Sequence, residues 1–536
     1  MKKVLTIVIL CFTAVSFLKA QTPSHPFPYS FQFYQKLNRE VYDKETRVHS
    51  ALKPYFIDDS LISRASDSVL SYGVDTNRTG WVARKLFNEH LIDIRNDEFT
   101  AYVDFLPDLM IGQDVADDNN TWLNTRGFQL GGTIGKKFSF YTSGYENQGK
   151  FPQYYEDYIR ASQIVPGLTY DRGWGRETRD WSYVSAFISY TPVKYLNITF
   201  GQDKTFIGDG YRSMLLSDFA SNYPFLRLTG NLGNVQYMAM WTAMQDPTAP
   251  KLSYDAGNRK KGGVFHYLDW NVNDRLSLGF FDAIIWSQTD DEGNERGFDW
   301  GYANPIIFLR PVEAMSGSPD NAVVGLNAKY EIFDKTAVYG QFLLDEFEAK
   351  NFFGGNASNR NKWGMQAGIR GADLFGAPRL NYLFEFNAAR PYTYTARNRM
   401  ISYSHFAEPL AHPFGANFNE FVGKLNYSVG RFDFSGQVNI AHYGMDLNRF
   451  THFGKNIFKP YPRAADDVYI GHGVPTDMQF GEVKVAYLIN PAYNLRLEFG
   501  GITRNEKNAL RDYKTTWFTF GLRSTFRNIY QDLSSY

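Results

Sequence analysis

The chain has 536 residues, 56 Lys plus Arg balanced by 56 Asp plus Glu, and 17% aromatic residues, with 36 Tyr and 45 Phe. That length is ample for a large core or a large barrel, and the zero net charge excludes a basic field for nucleic acid and an acidic tail. A mean hydropathy of −0.39 argues against a helical membrane protein but not against a β-barrel, whose lumen and loops are polar.

Lys2 and Lys3 precede an apolar run from Val4 to Phe17, and Leu18-Lys19-Ala20 precede Gln21. This pattern predicts a secretory signal over 1–20, cleaved near Ala20/Gln21. The single cysteine, Cys11, lies inside it, and Leu10 is too large for a lipoprotein cleavage site. The mature chain then has no disulfide and no thiolate metal site. No later apolar run approaches about 18 residues, so no transmembrane helix is expected. Residues 21–97 read as an N-terminal helical segment in the periplasm or the barrel mouth. Phe31 to Tyr42 and Trp81 to Leu91 have helical spacing, with a polar stretch around Pro54, Asp58 and Asp59 between them. A partly ordered leader is the plain alternative.

Residues 98–536 read as an outer-membrane β-barrel. Eighteen strand-like runs follow one another, from 99–105 and 127–135 to 495–502 and 515–526. In 196–203, Leu196, Ile198 and Phe200 alternate with Asn197, Thr199, Gly201 and Asp203; Leu380/Tyr382/Phe384/Phe386 and Leu495/Leu497/Phe499 alternate as cleanly. Short connections such as Lys136-Lys137, Pro192–Tyr195 and Gly430-Arg431 alternate with long ones such as 146–181, 287–321, 390–419 and 443–480. An all-β, antiparallel up-and-down transmembrane barrel of about 18 strands does this, with short periplasmic turns and long outer loops; sixteen strands stay open. Tyr190, Tyr195, Trp241, Trp270, Trp286, Tyr493 and Trp517 sit near strand ends, where aromatic girdles belong. The final Tyr536 fits a barrel that closes on an aromatic residue. Charges such as Arg227, Lys329, Glu331, Arg370, Glu385 and Arg523 should face inward, because charge on the lipid face costs about 2–4 kcal/mol. Their mixed signs either seal the lumen with ion pairs or line a polar channel, and the reading leans to a sealed interior.

Catalytic motifs are missing: no H-E-x-x-H and no G-x-S-x-G occurs. His405 and His412 share a loop with Glu408 and could hold a metal or act in hydrolysis; polar loop residues are the preferred reading. Asp114, Asp117 and Asp118 lack the spacing of a calcium loop, and Gly208-Asp209-Gly210 is neither a P-loop nor a dinucleotide fingerprint. The protein therefore reads as non-enzymatic, without cofactor or metal. Candidate ligand-binding residues are Asp203, Lys204, Asp209, Tyr211 and Arg212 around the 206–224 loop, expected to shape the barrel mouth. Trp174, Trp181 and Arg463 join them as loop groups able to stack on or hydrogen-bond a glycan.

Several separated motifs resemble a known family. Gly201-Gln202-Asp203-Lys204, Gly208-Asp209-Gly210, Leu215-Leu216-Ser217-Asp218 and Tyr223-Pro224-Phe225 resemble the central motif of Wzi-type capsule assembly proteins. Phe265-His266-Tyr267-Leu268, Asn304-Pro305-Ile306 through Pro311, Gly340 through Phe347 and Pro409-Leu410-Ala411-His412-Pro413 are similar to the RemB-type branch linked to gliding motility. The resemblance implies an eighteen-strand outer-membrane barrel in a Gram-negative cell, with N-terminal helices near its periplasmic mouth. It implies partners too: outer-membrane lipid, capsular or other surface polysaccharide bound without catalysis, and gliding or type IX secretion machinery. A porin-like channel for small solutes is the alternative.

Overall fold

The computed structural model describes residues 28–55, 60–173, 177–253, 255–290, 292–306, 320–346, 358–462, 465 and 467–536. The expected signal over 1–20 lies outside them. Eighteen strands close into one antiparallel ring. They begin with β1 Phe99–Asp114, β2 Asn119–Ile134, β3 Phe138–Lys150, β4 Arg179–Val193, β5 Leu196–Asp203 and β6 Tyr223–Leu232. Next come β7 Val235–Asp246, β8 Arg259–Asn271, β9 Leu276–Ser287, β10 Asn321–Phe333, β11 Thr336–Glu346 and β12 Lys362–Gly371. β13 Leu380–Ala389, β14 Phe418–Val429, β15 Phe432–Met445, β16 Val474–Asn490, β17 Leu495–Lys507 and β18 Asp512–Ser524 complete the wall. β18 pairs back onto β1 from Trp517↔Asp114 to Arg523↔Asp108, so the ring leaves no open edge. Closure is what a bilayer demands, since an unpaired backbone group in hydrocarbon costs several kcal/mol. Along β1, Phe105, Leu109 and Ile111 point out and are exposed, while Asp104, Leu106 and Asp108 point in and are buried.

All eighteen expected runs are strands, and several are longer than periodicity suggested. The stretch 106–126, read as a connection, is instead a continuous hairpin with its turn at 115–118. There Asp114 Oδ1 accepts from the amides of Ala116 (3.1 Å) and Thr516 (3.0 Å), so these acidic residues shape a turn. Strand that rises past the bilayer needs no apolar face, and the period-two signal fades with it. The girdle is also smaller than expected. Tyr195 and Trp270 are exposed, but Trp286, Trp517 and Tyr493 are buried. Trp517 has inward parity, and its Nε1 donates to Thr121 Oγ1 at 2.8 Å.

The lumen is filled from three sides. From the periplasmic end enters a helical run of Phe31–Tyr34, Gln35–Leu37 and Asn38–Val41, followed by α1 Ser60–Leu70 and α2 Trp81–Phe87. Helix α1 lies on the stretch read as merely polar; it buries Ile62, Ala65 and Ser66 and packs Leu61, Val69 and Leu70 against the core. Leu52–Lys53 pairs with Phe206–Ile207, which places the 204–222 connection inside the barrel. That corrects the expectation that this loop shapes the outer mouth: its residues from Thr205 to Asn222 are all buried. Past β18, residues 525–536 climb through the lumen. Phe31 N donates to Asn528 Oδ1 (2.8 Å), Tyr154 OH to Gln531 O (2.9 Å), and Tyr536 stacks near Phe458 at the outer end. The last aromatic residue thus lies at the outer end of the tail, not at the end of a lipid-facing strand.

Candidate functional site

The sequence-derived candidates divide by location. Arg212 sits at the centre of the lumen, where its guanidinium grips Glu420 of β14 (2.8 and 3.1 Å) and Asp532 of the rising tail (2.8 Å). The amides of Tyr211 and Arg212 donate to Glu385 of β13 at 2.9 and 3.1 Å. Tyr211 OH reaches Asp532 Oδ2 at 3.2 Å, and Gln437 and Asn439 complete that carboxylate's shell at 2.6 and 3.0 Å. One knot therefore ties the inward loop, three strands and the tail together. Gly210 is required in it: a Cβ there would stand 2.1 Å from Glu385 Oε2.

Asp209 accepts from Tyr42 OH (2.9 Å) and Ser50 Oγ (2.6 Å) of the N-terminal segment. Burial pushes its carboxyl up, but Lys53, Lys329 and the Ser50 hydrogen bond outweigh that and hold it below the usual carboxylate range. Lys204 donates to the carbonyls of Gly167 (2.5 Å) and Asp218 (2.7 Å); burial lowers its pKa. Asp203 takes Ser185 Oγ at 3.2 Å, and Trp181 is buried against Phe151. All six are interior groups spent on internal contacts. Trp174 and Arg463 lie outside the described residues. Several inward charges pair as well: Lys329 with Glu331 (3.2 Å), Arg496 with Glu498 (2.8 Å), and Arg523 with Asp108 and Glu498.

His405 and His412 have both ring nitrogens engaged. His405 Nδ1 accepts from Gln245 N (3.2 Å), and Nε2 faces Asn222 O (3.2 Å). His412 Nδ1 accepts from Phe414 N (3.1 Å), and Nε2 donates to Glu420 Oε2 (2.8 Å). Burial lowers the two rings to about 3 and about 4, so both are neutral near pH 7. Glu408 Oε1 accepts from Gly167 N at 2.7 Å, and burial pushes its carboxyl up. Among the described residues, no group of three His, Cys, Asp or Glu side chains could hold a metal.

An open pocket of about 370 Å³ lies at the outer mouth, where the loops 390–417 and 446–473 meet the helix Gln153–Ser162 and the tail. Its aromatic lining is Phe458, Tyr536, Tyr158 and Phe414. Phe458 and Tyr536 have ring centroids 6.4 Å apart and an interplanar angle of 13°, and Tyr158 stands edge-on to Tyr536 at 5.6 Å. Its polar rim holds Asp446, Asn448, Arg449, Lys455, Asn456 and Lys459. Lys459 Nζ is tied to Asp446 (2.6 Å), and Lys455 Nζ donates to Ser535 O (2.8 Å) and Ser534 Oγ (3.1 Å). Burial lowers Lys455 to about 8, which leaves it mostly charged near pH 7. The pocket combines ring faces with cations and amides, a lining able to hold a flat polar ligand. Sequence reading pointed at this loop through Arg463, but not at Phe458 or Tyr536 as pocket residues. The usable signal was the interleaving of Lys455, Asn456, Phe458 and Lys459.

No protein-family model matches the chain, and no curated protein matches it either. Among solved structures it is similar to Wzi of Escherichia coli, described as an outer-membrane protein involved in group 1 capsule assembly and a carbohydrate-binding β-barrel. The two share 12% identity over 94% of this chain and 99% of that one, with a TM-score of 0.56. Weaker likenesses are to Pseudomonas aeruginosa OprD (10% identity, 79% and 94% coverage, TM-score 0.41) and Acinetobacter baumannii OccAB2 (9%, 79% and 97%, 0.43). At such identities the Wzi likeness establishes the fold, an eighteen-strand outer-membrane barrel.

Proposed function

We propose that the protein is a non-enzymatic, sealed outer-membrane barrel that holds surface polysaccharide at its outer-mouth pocket. The aromatic pocket rimmed by Arg449, Lys455 and Lys459 carries this reading. Ring faces cover the C–H faces of sugars, amides and hydroxyls meet their OH groups, and the cations suit glycan carboxylates. The lumen knot supplies rigidity: a pocket resting on a filled barrel loses little entropy when it binds. The Wzi likeness supports the same direction at the level of fold. A porin needs a continuous polar path, and the packed Arg212 knot stands across it. The test is binding of purified protein to surface polysaccharide, compared with Phe458→Ala and Arg449→Ala. Truncating a central aromatic should cost about 2 kcal/mol, roughly thirtyfold in Kd; unchanged binding by both variants refutes the site. A deletion strain gives the cellular readout. Capsule shed into the medium supports attachment, whereas lost colony spreading with retained capsule assigns the barrel to gliding motility.

A further inference from the structure

Residues 81–95 turn their apolar side chains away from the protein. No residue of α2 is buried, and Trp81 and Val82 are 63% and 67% exposed; Leu86, Leu91, Ile92 and Ile94 are exposed as well. In water such a run of large apolar groups is costly, and it marks a surface meant to be covered. The segment is held firmly in place. Asn490 Nδ2, at the periplasmic end of β16, donates to the carbonyls of Lys85 and Glu89, each at 3.0 Å. Leu91 N donates to Asp104 Oδ1 at 2.9 Å.

The register says what covers it. β18 leaves β1 at Asp108, and Ile92–Arg95 pairs with β1 below that point: Ile92 opposite Val103, Ile94 opposite Ala101. Val103 and Ala101 share the parity of Phe99, Phe105 and Leu109, which face the bilayer. Ile92 and Ile94 therefore continue the lipid-facing wall at its periplasmic end, and α2 lies just before them in the chain. The helix carries a tryptophan among its exposed apolar groups, the composition of an interfacial element. Arg84 within it and Arg95 beyond it have side chains 47% and 73% exposed, positioned to meet anionic headgroups while keeping Glu89 and Asp93 as partners.

We propose that residues 81–95 form a lipid-binding collar, with α2 lying in the headgroup layer of the periplasmic leaflet and Ile92 and Ile94 in its hydrocarbon. The ligand is the phospholipid monolayer itself. The collar anchors the N-terminal plug to the membrane where the chain passes from the lumen into β1.

The test uses the full chain in phospholipid vesicles, in a cysteine-free background, with nitroxide labels at Trp81→Cys, Val82→Cys, Leu86→Cys and, as a water-exposed control, Leu447→Cys. These positions are exposed, so the substitutions leave folding intact; heat-modifiable gel mobility checks this. Collisions with oxygen should rise, and collisions with a water-soluble nickel complex should fall, at the three collar sites relative to Leu447→Cys. The depth should be about 5–10 Å for α2. Nickel accessibility equal to the control at all three sites overturns the proposal and leaves a periplasmic protein as the occupant. Quenching of Trp81 by brominated lipid, taken as the difference from Trp81→Phe, gives an independent answer: no quenching also overturns it.

Discussion

Replacing Asp532 with alanine should loosen the tail without loosening the barrel. The side chain accepts from Arg212 (2.8 Å), Gln437 (2.6 Å), Asn439 (3.0 Å) and Tyr211 (3.2 Å), and all of these groups are buried. Breaking a buried ion pair by removing one partner costs about 3–5 kcal/mol. Glu420 remains on Arg212, so the lower end applies, about 3 kcal/mol. At about 1.4 kcal/mol per factor of ten, the undocked tail becomes on the order of a hundredfold more populated. Hydrogen exchange reads that population directly. Amides of 526–536 should exchange about a hundredfold faster in Asp532→Ala, while those of β14 and β15 keep their rates. Asp532→Asn, which keeps the shape and loses the charge, should fall between. Tail exchange unchanged in both variants would mean that the knot does not hold the tail.

Four further outcomes follow from the same geometry. His412, buried and neutral at about 4, contributes stability that is present above its ordinary value of 6.5 and lost as pH falls through about 4. His412→Gln should flatten the acid side of the thermal-unfolding profile between those limits, by on the order of 3 kcal/mol at the acid end; an identical acid limb in both proteins contradicts it. Gly210→Ala should disturb the plug, since its Cβ meets Glu385 and the Arg212 carbonyl, at about 1–3 kcal/mol. Gly233→Ala in an open periplasmic turn at φ +65° should cost about 1 kcal/mol and leave plug exchange unchanged. In planar bilayers the wild-type protein should pass no steady ion current, and truncation before Thr525 should admit one; a large wild-type current would restore the porin reading.

The barrel was legible because strand parity and the alternation of short and long connections are local properties, written within a few residues. β5 and β13 declare themselves by apolar and polar residues in turn. The plug was not legible, for a physical reason. Tyr211, Arg212 and Asp532 lie 321 residues apart at their extremes, and nothing in either segment names the other. A lumen-filling loop is polar and aromatic like an outer loop, so Gly208-Asp209-Gly210 read equally well at the mouth. The candidate pocket suffers the same blindness: Phe458 and Tyr158 become neighbours only through Tyr536.

Sealing the lumen also decides where function can reside. In the sealed barrel proposed above, Arg212 sits at the centre between two carboxylates and many wall charges are paired, so the proposed barrel has no route through its middle. What remains are the two ends, and the tail touches both. Asn528 binds the N-terminal segment through Phe31 N, Asp532 binds the knot, and Tyr536 lines the outer pocket. An outer ligand that packs on Tyr536 therefore pulls on a strap fastened four residues lower, at Asp532. The strap is short and its fastening is worth several kcal/mol, so binding is held rigid rather than transmitted. Rigidity of that kind suits a fixed anchor for a polymer under shear, and it is lost first where Asp532 is lost.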